Sequence, residues 1–194
     1  MLAALTAGAG LVLPMQVATA EETVTVSEDA SNPGKDPALF SVGLSFFDRF
    51  RKRDHQPELR LEYRGEKVLS HFKPYYAAAA TYCMGEHFTF CPGKKTTWNA
   101  FLGGGLMLDI YFGRRVVVTP SFGVNLYGGG SEDLDLDYPL IFREQLEIAY
   151  RFDDYSRLGV AVTRYENLGL GDTNPGAEGI GLYYSMPFDD QFGK

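Results

Sequence analysis

Three charged side chains interrupt a strand face that is otherwise apolar. Residues 158–188 predict two strands joined by a polar loop, and side chains in a strand alternate between faces. Arg164 and Glu166 continue the apolar face of the first strand, and Glu178 begins that of the second. Glu166 can act as a general base toward water, with Glu178 beside it and Arg164 stabilising an anionic intermediate. Alternatively, Arg164 and the carboxylates form a charge-assisted ion cluster, which Glu144 on the preceding strand is placed to join.

The elements that position these residues are predicted to be strands throughout. Between residues 38 and 188 the chain shows period-two alternation and no sustained helical period. We predict eight strands, at Leu39–Phe47, Glu58–Arg64, Ser70–Tyr82, Thr97–Phe112, Arg115–Tyr127, Phe142–Phe152, 158–166 and 178–188. Their connections alternate between short turns and long polar loops. An even number of strands with this alternation is typical of an all-β, eight-stranded antiparallel transmembrane β-barrel of the bacterial outer membrane.

Alternation alone does not say which face points inward, and a soluble lipocalin-like barrel is the alternative. The polar face carries opposed charges among many Gly, Ala and Ser residues. Its charged members are Arg60, Glu62, Arg143, Glu147 and Arg151. Small residues and paired charges suit the filled interior of a narrow eight-stranded barrel, so we predict that the apolar face meets lipid.

The two ends of the chain are predicted to lie outside the barrel. Residues 1–20 form an apolar run that ends in Ala-Thr-Ala, which is typical of a secretory signal peptide truncated at its start. A transmembrane helix is the alternative, but Pro14 and Gln16 interrupt the run. Residues 21–37 are polar and predict a flexible lead segment, and residues 189–194 predict a C-terminal tail.

The two cysteines, Cys83 and Cys91, enclose a short segment. An exported chain is in a compartment that permits disulfides, so a Cys83–Cys91 bridge is the favoured interpretation. A metal site through His87 is the alternative, although the paired ligand spacing of a zinc site is missing. The sequence indicates no metal and no cofactor. The formal net charge of −7, without a basic stripe, argues against a nucleic-acid partner.

The last fifty residues resemble the outer-membrane lipid A 3-O-deacylase family. The family pattern there is His, any residue, Ser-Asn, a short loop, then Asn-Pro-Gly, any residue and Glu. The matching positions in this chain are Asn167, Asn174, Pro175, Gly176 and Glu178. The positions of the family's His and Ser hold Arg164 and Glu166.

The resemblance implies an eight-stranded barrel that removes an ester-linked acyl chain from lipid A. It places the catalytic group, here Glu178, Glu166 and Arg164, on the lipid-facing side. Asn167 and Asn174 are implied as lipid-binding or oxyanion groups. The implied partners are lipopolysaccharide and the membrane, with a monomer favoured.

Two functions are compatible with the departures from the family pattern. Catalysis through a serine nucleophile needs a base that accepts the proton of the serine. The guanidinium of Arg164, at the position of the family's histidine, does not accept a proton. The first hypothesis is therefore a lipid A ester hydrolase with an altered site. The second is a non-catalytic barrel that binds lipopolysaccharide or has a structural role in the membrane.

Overall fold

The computed structural model describes residues 24–26, 36–50, 56–68, 71–84, 96–130 and 134–188. Ten strands run in chain order through these residues. They are β1 (Val24–Val26), β2 (Leu39–Phe47), β3 (Gln56–Arg64), β4 (Phe72–Met84), β5 (Thr96–Leu108), β6 (Ile110–Phe112), β7 (Val116–Gly130), β8 (Leu140–Arg151), β9 (Arg157–Glu166) and β10 (Ala177–Pro187). No described helix is long and apolar enough to cross a membrane.

The sheet closes into the predicted barrel. Consecutive strands pair antiparallel from β2 to β5, then β5 with β7, and onward to β10, which pairs back with β2. Eight long strands therefore form the wall, as the alternation predicted. The short β3–β4, β5–β7 and β8–β9 connections lie at one end of the barrel. The longer connections lie at the other, which is the extracellular end in barrels of this type.

One predicted strand is interrupted. The segment expected as Thr97–Phe112 is divided into β5 and β6, with Asp109 between them. Pro120 on β7 stands opposite this break. Because proline has no backbone N–H, it cannot donate to the β5–β7 ladder at that point. One edge of β6 pairs with β7. The opposite edge lies beyond the start of β4, so it pairs with β1 rather than with β4.

The apolar face points outward, as predicted for a membrane barrel. Outward side chains such as Leu44, Leu102 and Leu182 are more than half exposed, whereas the inward ones are buried. Wall residues that alternate in this sense present hydrocarbon to lipid and polar groups to the interior.

Opposed charges fill the interior. Arg64 donates to both carboxylate oxygens of Glu147, at 3.1 and 2.6 Å, and to Glu62 at 2.9 Å. Arg143 lies 3.5 Å from the same Glu62 carboxylate. Arg60 donates to Tyr165. Buried charges of this kind require partners, and the predicted inward residues supply them to one another.

The lead segment contributes to the inner end of the barrel, although the sequence predicted no strand there. Besides β1, it supplies Asp36, which forms an ion pair with Lys73 and accepts a hydrogen bond from Tyr111 at 3.0 Å. Lys73 also contacts Asp109, at 3.1 Å. The predicted signal peptide and C-terminal tail lie outside the described residues.

At the outer end the interior becomes apolar. Leu134 and Leu136, from the β7–β8 connection, are buried against Phe47, Phe101 and Tyr165 inside the barrel. The rings of Phe101 and Tyr165 stack with centroids 4.7 Å apart. The described part of the β7–β8 connection therefore packs into the outer end of the barrel interior.

Candidate functional site

Four charged side chains meet on the outward face near the extracellular end. Arg164 on β9 lies directly opposite Glu144 on β8 and directly opposite Glu178 on β10. Glu166, two residues after Arg164 on the same face, forms an ion pair with the Arg164 guanidinium. We call Glu144, Arg164, Glu166 and Glu178 the outer charge cluster. The structure thus brings together the three residues that the sequence singled out and the fourth that it suggested.

The cluster is accessible and carries an excess of negative charge. The Arg164 side chain is 51% exposed and that of Glu166 is 21% exposed. Three carboxylates against one guanidinium leave a formal excess of two negative charges. Because like charges repel on a surface of low dielectric, Arg164 between the carboxylates lowers the energy of the arrangement.

The cluster begins a continuous row of directly paired outward residues. From Arg164, the pairing runs through Glu144 to Phe122 on β7, then to Leu106 on β5 and Pro74 on β4. We call Glu178, Arg164, Glu144, Phe122, Leu106 and Pro74 the transverse row. Its first three members are charged and lie toward the outer loops. Its last three are apolar and lead toward the inner turns, so the row is amphiphilic along its length.

An open groove follows this row on the outer wall. Its volume is about 1100 Å³, and its lining is mostly apolar. Arg164, Glu144 and Glu178 line its charged end, with Phe50 beside them. We call it the lateral groove. Farther along, it is lined by residues that include Leu106, Phe122, Leu146, Val162 and Phe72.

The chemistry open to this site follows from its side chains. The outward positions of β8, β9 and β10 hold no Ser, Cys or His within their described residues. An acyl-enzyme route needs such a nucleophile with a base beside it, and no described outward residue of these three strands supplies that nucleophile. What the site offers is carboxylate acceptors, one guanidinium and an adjoining apolar surface.

Asn167 holds two outer loops together. Its side-chain amide is buried and donates to the carbonyl oxygens of Leu136, at 3.0 Å, and Thr173, at 2.5 Å. Its backbone N–H donates to the Asn174 side chain at 3.2 Å. Asp137 accepts hydrogen bonds from the backbone N–H and the hydroxyl of Thr173. We call these five residues the outer-loop clasp.

The turn before β10 explains another part of the sequence motif. Gly176 has a φ of 57°, in the left-handed region where glycine carries no steric penalty. This backbone conformation comes just before Ala177, where β10 begins, and so sets the position of Glu178. The Asn-Pro-Gly sequence therefore shapes the entry to the strand that carries the carboxylate.

The remaining predicted site residues are placed as follows. Asn174 is exposed in the β9–β10 loop, and its side-chain oxygen is the acceptor in the clasp. The lipid-binding or oxyanion role stays a prediction for both asparagines, since the contacts described for them hold the loops. Cys83 is buried at the outer end of β4 and is disulfide-bonded. Cys91 lies outside the described residues. No described group of three or more His, Cys, Asp or Glu is arranged to hold a metal ion.

Sequence reasoning did not identify Phe50 or the contact between Asp137 and Thr173. Both depend on loops that approach the site from other parts of the chain. The sequence signal for the contact between Asp137 and Thr173 is the high number of carboxylate residues between residues 131 and 139. This signal does not indicate which of the carboxylates makes the contact.

The chain is similar to one protein family and to solved structures of two outer membrane proteins. The sequence profile of the lipid A 3-O-deacylase (PagL) family matches residues 55–187. The crystal structure of the outer membrane enzyme PagL is similar with a TM-score of 0.54 and 20% identity, over 77% of this chain and 99% of that one. The Yersinia pestis outer membrane protein Ail matches with a TM-score of 0.44 and 12% identity, over 78% and 100%. No curated protein sequence matches the chain.

The family profile covers most of the barrel, including the strands that carry the outer charge cluster. The similar crystal structure independently agrees with the fold. The chain therefore belongs to the lipid A 3-O-deacylase (PagL) family and is an eight-stranded β-barrel of the outer membrane.

Proposed function

We propose that the protein binds lipid A in the outer leaflet, with the headgroup at the outer charge cluster and an acyl chain along the lateral groove. The observation that carries the proposal is the transverse row, which changes from charged to apolar along one groove. A lipid with a polar head and long chains has the same change of polarity. Family membership supports lipid A as the lipid in question.

The charge of the cluster favours particular groups of the headgroup. Carboxylates accept hydrogen bonds, and they outnumber the single cation, which is already paired with Glu166. Sugar hydroxyls and amide N–H groups are therefore better matched to Glu144 and Glu178 than a bare phosphate is. A phosphate would compete with Glu166 for Arg164.

A binding experiment tests this proposal. The full-length protein is placed in phosphatidylcholine nanodiscs and titrated with lipid A, with binding followed by native mass spectrometry. We expect saturable binding that the triple change Glu144→Gln, Arg164→Gln and Glu166→Gln weakens. An exposed ion pair at the opposite end, Arg115 with Asp153, provides the matched control through Arg115→Gln. Equal binding by wild type and the triple variant would contradict the proposal.

Hydrolysis of an ester of lipid A is the second candidate function. The observation that favours it is the placement of two carboxylates, Glu166 and Glu178, on either side of an arginine at the head of the groove. In this arrangement Glu166 accepts a proton from water as the water attacks the ester carbonyl, and Arg164 stabilises the anionic tetrahedral intermediate. The intermediate then collapses to a free fatty acid as the C–O bond to the sugar breaks, and the sugar oxygen takes the proton from Glu166.

Lipid A extracted from cells with and without the protein distinguishes the two functions. Hydrolysis predicts the loss of one hydroxyacyl chain by mass spectrometry, and the loss must disappear in Glu166→Ala, which removes the general base. Binding without hydrolysis predicts an unchanged profile together with the saturable binding described above.

A further inference from the structure

The turn after β2 brings an aromatic side chain to the lateral groove. Outward positions of β2 have even numbers and end at Phe46, so simple alternation would also turn Asp48 outward. Asp48 is instead fully buried and has a φ of 51°. Aspartate tolerates this left-handed conformation better than most residues. The turn reverses the alternation, and both Arg49 and Phe50 are exposed.

This turn is fixed to the outer charge cluster. The backbone N–H of Arg49 donates to the carbonyl oxygen of Glu178 at 2.8 Å. The hydrogen bond joins the turn to the first residue of the transverse row. Phe50 is 57% exposed and lines the lateral groove together with Glu178 and Arg164.

Phe50 therefore places an apolar group at the charged end of the groove. Phe122 and Leu106 lie farther along the transverse row, past Glu144. A phenyl ring offers a large, stiff contact surface with only two rotatable bonds, so little entropy is lost when a chain packs against it.

We propose that Phe50 is a specificity-determining residue that contacts the first carbons of an ester-linked acyl chain. The inference rests on the proposed function: with the headgroup at the outer charge cluster, a chain that leaves the headgroup on the Glu178 side contacts Phe50, whereas a chain that leaves it past Glu144 lies against Phe122 and Leu106. Phe50 thus discriminates between lipids that carry an ester-linked chain and those that lack one.

The test uses two probes with one headgroup. Lipid A and alkali-treated lipid A, which lacks its ester-linked chains, are titrated against the full-length protein in phosphatidylcholine nanodiscs. We expect Phe50→Ala to weaken binding of lipid A by about fivefold, through loss of apolar contact, and to leave binding of the alkali-treated form unchanged. Phe50→Leu, which keeps an apolar side chain, should give an intermediate loss.

Phe46→Ala is the matched control. Phe46 is an outward, exposed phenylalanine on β2 that does not line the groove, so its removal should leave both affinities unchanged. Heat-modifiable migration in gels checks that each variant is folded.

Two results separate the inference from the proposed function. If wild type binds lipid A but Phe50→Ala and Phe50→Leu bind both probes as wild type does, the role of Phe50 is overturned and lipid A binding stands. An equal loss of affinity for both probes also overturns the role of Phe50. If wild type binds neither probe, the proposed function itself fails, and the role of Phe50 fails with it.

Discussion

Arg164 on β9 lies directly opposite Glu178 on β10. The sequence resemblance predicts that these two positions correspond to the histidine and the glutamate of the family pattern. Glu166, at the position predicted to correspond to the family serine, follows two residues later on the same face. The three positions predicted from the resemblance are thus adjacent in space, although two of them hold residues that differ from the family pattern.

This geometry predicts that ester hydrolysis through a serine nucleophile can be restored by substitution. Arg164→His combined with Glu166→Ser places a base next to a hydroxyl and opposite a carboxylate. A general base typically accelerates such a reaction by a factor of about a hundred or more, so we expect at least about a hundredfold more release of acyl chain than in wild type. Mass spectrometry of lipid A incubated with the purified variant measures the release.

The control for this experiment is the same double variant with Glu178→Ala, which should lose the gained activity. If the double variant is folded and remains inactive, the positions are not equivalent in chemistry to those of the family.

A second prediction concerns the buried ion pair between Arg64 and Glu147. Both side chains are buried, and removal of one partner leaves a buried charge with less compensation. We expect Glu147→Ala to lower the free energy of unfolding by about 3 kcal/mol, measured by urea denaturation in detergent. The exposed pair of Arg115 with Asp153 is the comparison, since Arg115→Ala should lower the free energy of unfolding much less. Similar losses for both variants would mean that burial does not set the strength of these pairs.

The outer-loop clasp gives a third prediction. Asn167→Ala removes two side-chain donors and leaves the carbonyl oxygens of Leu136 and Thr173 without those bonds. We expect a loss of about 1–3 kcal/mol in the free energy of unfolding. We also expect faster proteolysis in the β7–β8 and β9–β10 loops. Asp172→Ala, at an exposed position in the same loop, should leave the cleavage rate unchanged.

A fourth prediction concerns pH and the inner turn between β8 and β9. Hydrogen bonds from the Ser156 hydroxyl, at 2.7 Å, and backbone N–H, at 3.1 Å, hold the pKa of the Asp154 carboxyl below its ordinary value of 3.8. A lowered folded-state pKa contributes stability above the unfolded-state pKa, and this contribution disappears as the pH falls through the folded-state value.

Wild type should therefore exceed Asp154→Asn in stability by a constant amount above about pH 4, and the difference should shrink at lower pH. Urea denaturation of both proteins over this range provides the measurement. A difference that stays constant down to about pH 2 would show that Asp154 acts independently of its charge.

The eight strands could be predicted because period-two alternation is a local property of the sequence. Leu158, Val160 and Val162 predict one face of β9 directly, and the inward or outward sense followed from the charges on the other face. The break at Asp109 was not predicted, because it arises from Pro120 on the neighbouring strand rather than from its own segment.

The site was predicted in part for the same reason. The alternation predicts apolar side chains at three positions that instead hold the charged residues Arg164, Glu166 and Glu178, which made these residues visible in the sequence. The transverse row was not, because it depends on the register between strands, which no single segment specifies. Phe50 was missed because the reversed turn at Asp48 has no signal in the alternation of β2.

The filled interior of the barrel has a consequence for the membrane around it. Inward charges along the wall are nearly inaccessible, with Arg60, Glu62, Arg64, Arg143 and Glu147 each 0–1% exposed. Leu134 and Leu136 pack inside the outer end of the barrel. The surface that the membrane meets is therefore formed by the outward residues, while the charged residues that fill the described part of the lumen stay out of contact with lipid.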